Sequence, residues 1–425
     1  MKDYSNFLLD LEKLISYKTV GISPETKTSE NMPFGKECSL ALNYFLDVAK
    51  RMGFNTINYD GYAGEVFFGE GEEIGIIGHL DVVPEGNGWK TNPFSLTIKN
   101  KKLYGRGVVD DKLPILLCLY ALNSAKNSGV KFNKKIRLFV GLNEETGWRD
   151  LEYLKSKTVM PAYGFSPDGD FPLSYAEKGI YYLVFKLPKL KNFTSLSGGV
   201  AVNAVCDYAK IKPLKTIDEK LIKKYNLSYK GEFIESFGVS AHGSSPQKGK
   251  NALSPIFKLM RDANEELNSF PENAFDDRLG LTKVKTEQGI VTLSPNLIKT
   301  EGENTYLYCD LRVPAPINVN DLRKYLDNFG LSYTLTEKHP PMMVEKDGFF
   351  VKALSSAYEK HFNQDATPIA MGGSTFARAF SKGCAFGMFV DGACGGCHEA
   401  NEYVSEDFLF KAYNVYLDAI INIVK

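Results

Sequence analysis

Short apolar runs alternate with helical ones at both ends of this chain, and its middle breaks that rhythm. EVFFGE and EIGIIGH read as strands, rich in β-branched or aromatic residues and bounded by Gly. ECSLALNYFLDVAKRM before Gly53 reads as an amphipathic helix, and DDKLPILLCLYALNSAKNSG as a buried one. KKIRLFVGLN is the next strand and GWRDLEYLKSK the next helix. Such alternation implies an α/β fold, a sheet covered on both faces. From about Tyr181 the text turns strand-like: YYLVFKL, GEFIESFGVSA, GIVTLSPNLIKT and NTYLYCDLRV, interrupted by helices such as NALSPIFKLMRDANEELNSF. After Pro340-Pro341 the first style returns, with GFFVKALSSAYEKHF as a helix, CAFGMFV as a strand and SEDFLFKAYNVYLDAIINIVK as a closing helix. A chain of 425 residues is too long for one typical core. The expected organisation is a discontinuous mixed-sheet domain, residues 1–180 and 341–425, with an α+β domain inserted at 181–340.

Charge narrows the partners. Lys plus Arg total 51 and Asp plus Glu total 51, so no bias towards nucleic acid exists. The N-terminus carries Leu8, Leu11, Leu14 and Ile15 at helical spacing. It has neither the apolar stretch nor the small-residue cleavage site of a signal peptide. No run approaches the roughly 18 apolar residues of a membrane span. The expected location is cytoplasmic, with no membrane partner. The seven Cys are scattered and odd in number, and a cytoplasmic setting keeps them reduced. Cys394-Gly395-Gly396-Cys397-His398 is formally a haem-attachment motif. With no export signal and no second C-x-x-C, neither haem nor a four-Cys zinc site fits well, and a redox pair lacks its strand–helix context.

His and carboxylates concentrate in GHLDVVP, GRGVVDDK, GLNEETGW, SPDGDFP and CHEANE. The first and third follow apolar strands directly, and ligand sites in open α/β sheets lie beyond strand carboxyl ends. Crowded carboxylates repel one another unless a cation compensates. Imidazole with carboxylate is a ligand set for zinc, manganese or cobalt. Two such ions roughly 3.5–4 Å apart suit hydrolysis of an amide. Each piece also has a plain reading. A single His after a strand can be a hydrogen-bonded core residue. Asp110-Asp111 could cap a helix, Glu144-Glu145 could be a surface pair, and SPDGD is good turn sequence.

Eight segments in order make the sequence resemble the M20 family of co-catalytic metallopeptidases, specifically its PepV-type dipeptidases. They are GHLDVVPEGNGW, LYGRGVVDDK, GLNEETGW, FSPDGDFP, SAHGSSPQKGKNA, DLRVP, GGSTFARA and HEANE. The resemblance implies two divalent metal ions per chain, zinc or manganese, with cobalt also acceptable. It implies His79, Asp110 and Asp168 as ligands of one, and Asp110, Glu145 and His398 as ligands of the other. Glu144 would be the general base and Asp81 the partner that orients the His79 ring. A cis peptide at Asp110-Asp111 is implied as well. In the inserted domain, which resembles the family's lid, His242 and Asn203 would be donors to the oxyanion. Arg312 would belong to the same pocket or to a clamp on the substrate carboxylate. Gly373, Ser374 and Arg378 match a segment that holds the substrate's C-terminus. Cys394 and Cys397 fall outside the family pattern, as do Leu113 after DDK and Asn143 before the Glu pair.

Within the family, Asp at 168 suggests a substrate with a free amino end. The enlarged lid suggests the PepV type, which supplies its His from the same chain. The expected activity is hydrolysis of unblocked L-dipeptides, by a monomer or a homodimer. The rivals are an N-acyl or N-succinyl amino acid deacylase, and a peptide-binding relative without catalysis. Relatives of the latter kind commonly lose the base, whereas Glu144 is present.

Overall fold

The computed structural model describes all residues except Lys2, 23–30 and Asp391. The chain forms two compact units. One comprises Met1–Tyr175, Met343–Ile369 and Thr375–Lys425, and the other Ala176–Met342 with Ala370–Ser374.

The first unit is built on a mixed sheet in which Ala63–Phe68, Lys134–Gly141, Glu72–His79, Tyr163–Ser166 and Lys382–Ala385 lie side by side in that order. Ala63–Phe68 pairs antiparallel with its neighbour. The other four strands run parallel. Their carboxyl ends therefore emerge at one edge, where α/β sheets place their ligand sites. His79 ends one strand, and the segments holding Glu144-Glu145 and Asp168 follow two others.

Helix Lys112–Lys126 is apolar almost all round, as a helix buried on every side must be. It packs against the sheet and against the closing helix Glu406–Val424. Lys112, at its start, is fully buried. Its amino group donates to Leu14 O at 3.0 Å and Tyr17 O at 2.7 Å. These are carbonyls at the end of helix Tyr4–Ser16, where the helix dipole favours a cation. Burial draws the pKa of Lys112 down to about 7.

Two glycines in neighbouring strands, Gly75 and Gly164, stand opposite each other in register. The Phe380 ring rests on both. A Cβ on Gly75 would lie 2.1 Å from a Phe380 ring carbon, and one on Gly164 would lie 2.4 Å away. Phe380 directly follows the short 3-10 helix Phe376–Ala379, whose Phe376 meets the His79 ring edge-on with centroids 6.2 Å apart. Gly75→Ala will therefore destabilise the fold by about 1–3 kcal/mol, the usual effect of overpacking. A lower denaturant midpoint at unchanged slope would register it.

The second unit is an antiparallel sheet. Its strands run Ser228–Lys230, Phe233–Phe237, Tyr208–Pro213, Phe193–Gly198, Thr292–Glu301, Asn304–Val313, Gly179–Lys186 and Tyr333–His339 across the sheet. Phe185, Phe257, Phe270 and Phe329 meet in its core. The helix expected over Asn251–Phe270 is shorter, Leu253–Asp262, and a separate short helix covers Phe270–Phe275. Asn264 at φ 64° and Asn268 at φ 45° break it, because Asn tolerates the left-handed region better than most residues. The strand expected over CAFGMFV also stops early, at Ala385, two residues before Gly387 takes φ 90°.

Candidate metal centre

Asp110 is the hub of the first unit's sheet edge. One of its carboxylate oxygens, Oδ1, lies 2.9 Å from His79 Nε2. The other, Oδ2, lies 2.9 Å from His398 Nε2. Each imidazole thus has its own oxygen on one shared carboxylate. Asp168 Oδ2 is 3.9 Å from His79 Nε2, on the first side. Glu145 Oε1 is 3.2 Å from His398 Nε2, on the second. One potential donor atom from each of His79, Glu144 and Asp168 falls within 4.8 Å of the others, and the same holds for Asp110, Cys397 and His398. The Asp110–Asp111 peptide is cis.

Charge in this cluster is unbalanced. Burial raises the pKa of Glu144 well above the carboxylate range, with Asp168, Glu145 and Asp110 adding to it against His79. Burial and then Asp110 push Asp168 to about 8. Burial alone would raise Asp110 too, but hydrogen bonds from His398 and His79 outweigh it and hold it well below the usual range. Hydrogen bonding to Asp110 and Glu145 lifts His398 to about 11. Burial and crowding thus favour the protonated forms of Glu144 and Asp168, and the neighbouring carboxylates that of His398, so the cluster calls for added positive charge. Glu145 Oε1 is buried, with the His398 imidazole 3.2 Å away as its polar neighbour. Imidazole and carboxylate donors, a two-sided Asp and a second buried carboxylate beside His398 fit divalent cations, whose binding displaces such protons.

Buried carboxylates fix the backbone around these groups. His79 Nδ1 faces Asp81 O at 3.0 Å and Asp81 Oδ1 at 3.3 Å. The same Asp81 carboxylate accepts the N–H groups of Glu144 and Glu145, each at 3.1 Å, so it holds both the imidazole and the Glu pair. Asp111 heads helix Lys112–Lys126 but does not cap it with its side chain. Its carboxylate instead accepts His79 N–H at 3.1 Å. Gly78 leaves the room, since a Cβ there would sit 2.1 Å from Asp111 Oδ2. Asp150 accepts Leu142 N–H and Asn143 N–H.

Glu402 does most of this work for the Asp110 segment. It accepts from Arg106 at 2.7 Å, Val109 N–H at 2.7 Å, Gly107 N–H at 3.1 Å and Asp110 N–H at 3.3 Å. Sequence reasoning passed over Glu402, Arg106 and Asp150, and read Asp111 as a possible helix cap rather than as a partner of His79. The available signal was that Glu402 shares a segment with His398, and Arg106 with Asp110. The two departures from the family pattern are structural in kind. Leu113 is fully buried. Asn143 Oδ1 accepts Arg149 N–H at the start of helix Arg149–Lys157.

The second unit gathers its own candidates. Asn203 O accepts Gly243 N–H at 2.7 Å, and Ala204 and His242 form a bridge. His242 Nδ1 lies 2.7 Å from Ser244 Oγ. Arg312 is buried and forked onto Asp310, at 2.7 and 2.8 Å, and donates to Gly372 O at 2.9 Å. Arg312 thus ties Asp310 to the backbone of Gly372. Ser374 Oγ is buried without a hydrogen bond. Arg378 belongs to the first unit, in the 3-10 helix Phe376–Ala379.

The sequence profile of Peptidase family M20/M25/M40 matches residues 75–422. A Bacillus subtilis (strain 168) protein named "Putative dipeptidase YtjP" is 30% identical over 439 residues, covering 95% of this chain and 94% of its own. A Staphylococcus aureus (strain USA300) protein with the same dipeptidase designation is 29% identical over 455 residues, 97% of this chain and 96% of its own. Human carnosine dipeptidase 1 shares the fold at a TM-score of 0.61 and 16% identity, across 99% of this chain and 96% of that one. A Staphylococcus aureus tripeptidase does so at 0.63 and 13%, across 99% and 98%. Among the described residues no helix is long and apolar enough to cross a membrane. A profile match over most of the length, on a fold whose sheet edge gathers His79, Asp110, Glu144, Glu145, Asp168 and His398, means that the chain belongs to peptidase family M20/M25/M40 and is a peptide hydrolase.

Proposed function

We propose that this peptidase is a metal-dependent dipeptidase acting on unblocked L-dipeptides. The observation that carries the reading is the division of Asp110 between two imidazoles, with carboxylates on both sides and Glu144 beside them. The dipeptidase names of its relatives point to the same substrate class. His79, Asp110 and Asp168 would hold one divalent cation, and Asp110, Glu145 and His398 the other. When bound, the pair of cations supplies Lewis acidity towards the scissile carbonyl and lowers the pKa of water. Glu144 takes a proton from the attacking water and delivers it to the leaving amine. Asp81 keeps the His79 ring and the Glu144 backbone in place for that transfer. His242 and Asn203 are assigned as donors to the developing oxyanion. Gly373, Ser374 and Arg378 are assigned to the substrate's C-terminal carboxylate, with Arg312 positioning Gly372 and its neighbour. Asp168 at its position supports a free amino end over an acylated one.

The test is amino-acid release from free dipeptides, N-acylated amino acids and a tripeptide. Protein stripped with chelator should be inactive. Zinc or manganese, added separately, should restore release from free dipeptides alone. Release only from acylated substrates would make the protein a deacylase, and a tripeptide cleaved as fast as a dipeptide would remove the length limit.

A further inference from the structure

Adjacent residues in extended backbone point their side chains in opposite directions. Cys397 and His398 do not. Gly396 sits at φ 78° and His398 at φ 58°, so the chain turns through left-handed conformations on either side of Cys397. A Cβ on Gly396 would lie 2.8 Å from Glu402 Cα, so only Gly allows this turn to close so tightly. The result is that Cys397 Sγ, at 3.5 Å, and His398 Nε2, at 2.9 Å, both converge on Asp110 Oδ2. A thiolate sulfur and a carboxylate oxygen sharing one tetrahedral zinc, with bonds of about 2.3 and 2.1 Å, are about 3.6 Å apart. The metal-free protein already holds this pair near that separation. Glu145 Oε1, buried, lies on the same side, 3.2 Å from His398 Nε2. Cys394, three residues earlier, is engaged elsewhere: its sulfur donates to Met388 O at 3.2 Å and accepts Val390 N–H at 3.3 Å.

We infer that Cys397 is a thiolate ligand of the cation held by Asp110 and His398, which makes that position a nitrogen–oxygen–sulfur site. The inference rests on the assignment of Asp110 and His398 as metal ligands. On binding, the thiol proton leaves to solvent and the sulfur bonds the cation. Thiolate favours zinc, whereas carboxylate and water suit manganese. The site should therefore select zinc over manganese more strongly than an all-imidazole-and-carboxylate site.

Cobalt(II) reads this directly, because a thiolate ligand adds a near-ultraviolet sulfur-to-cobalt charge-transfer band to the visible ligand-field bands. Chelator-stripped full-length protein is titrated with cobalt alone. The expected result is both sets of bands in the wild type. Cys397→Ala loses the charge-transfer band but keeps ligand-field bands, whereas Cys394→Ala keeps both. Zinc competition against cobalt-loaded protein should show affinity weakened about tenfold or more in Cys397→Ala. Wild-type protein with ligand-field bands and no charge-transfer band would overturn the inference, leaving Cys397 as a thiol hydrogen-bonded to Asp110. A charge-transfer band that survives in Cys397→Ala would also overturn it. Wild-type protein that binds no cobalt would overturn the metal assignment itself. If Cys397→Ala fails to fold, Cys397→Ser, which keeps the size without a thiolate, is read in its place with the same two outcomes.

Discussion

Glu144→Gln will lower turnover by about 10²- to 10⁴-fold while the protein keeps its metal content. That range is what a positioned general base contributes. Gln matches the size of Glu but offers no carboxylate to take a proton. It is also a fair mimic of the form this site imposes without metal, since burial and neighbouring carboxylates favour protonated Glu144. The substitution should therefore leave the thermal midpoint of the metal-free protein nearly unchanged. Steady-state rates on a free dipeptide and metal content by atomic spectroscopy check it together. The pairing matters because Glu144 offers an oxygen to the same cluster as His79 and Asp168. Loss of turnover with metal retained makes Glu144 the base, and loss of both makes it a ligand. Turnover within a few-fold of wild type would place the base elsewhere.

Glu402→Ala will destabilise the protein by about 3–5 kcal/mol, the usual penalty for breaking a buried ion pair from one side. It removes the acceptor of Arg106 and of the Gly107, Val109 and Asp110 amides together. Arg106 is 1% exposed, so water cannot replace the lost partner without rearrangement. At roughly 2–4 °C per kcal/mol for a unit of this size, the midpoint should fall by roughly 6–20 °C. Glu402→Gln keeps one oxygen acceptor and should recover part of the loss. Zinc affinity should fall in both variants, because the Asp110 backbone loses its anchor. A midpoint shift under about 2 °C for the Ala variant, less than one such kcal/mol would give, would mean that other contacts hold this segment.

The α/β character was legible because its strands are apolar runs closed by Gly. EIGIIGH and KKIRLFVG form strands Glu72–His79 and Lys134–Gly141. The order of strands was not legible, since nothing local tells Lys382–Ala385 that it will lie beside Tyr163–Ser166. Helix length failed where Asn residues could take left-handed backbone, an option that apolar periodicity does not reveal. Within the site, the legible residues were those whose chemistry depends on side-chain type, such as His79, Asp110 and His398. Their supports were hidden for a physical reason. Asp111, Asp150 and Glu402 bind backbone amides, and nearly every residue carries one, so the partners leave no mark in the sequence. Asp81 illustrates both cases: its tie to the imidazole was implied by the family resemblance, but its grip on two amides of the Glu pair was not.

The Lys112 ammonium, two residues past Asp110, has its acceptors in the first turns of the polypeptide, at Leu14 and Tyr17. Helix Tyr4–Ser16 is thereby a plug, and displacing it would strand the Lys112 amino group in an apolar interior two residues from Asp110. Nicking by a protease, or a bulky fusion that pries this helix away, would be felt at the Asp110 segment as well as in the helix itself.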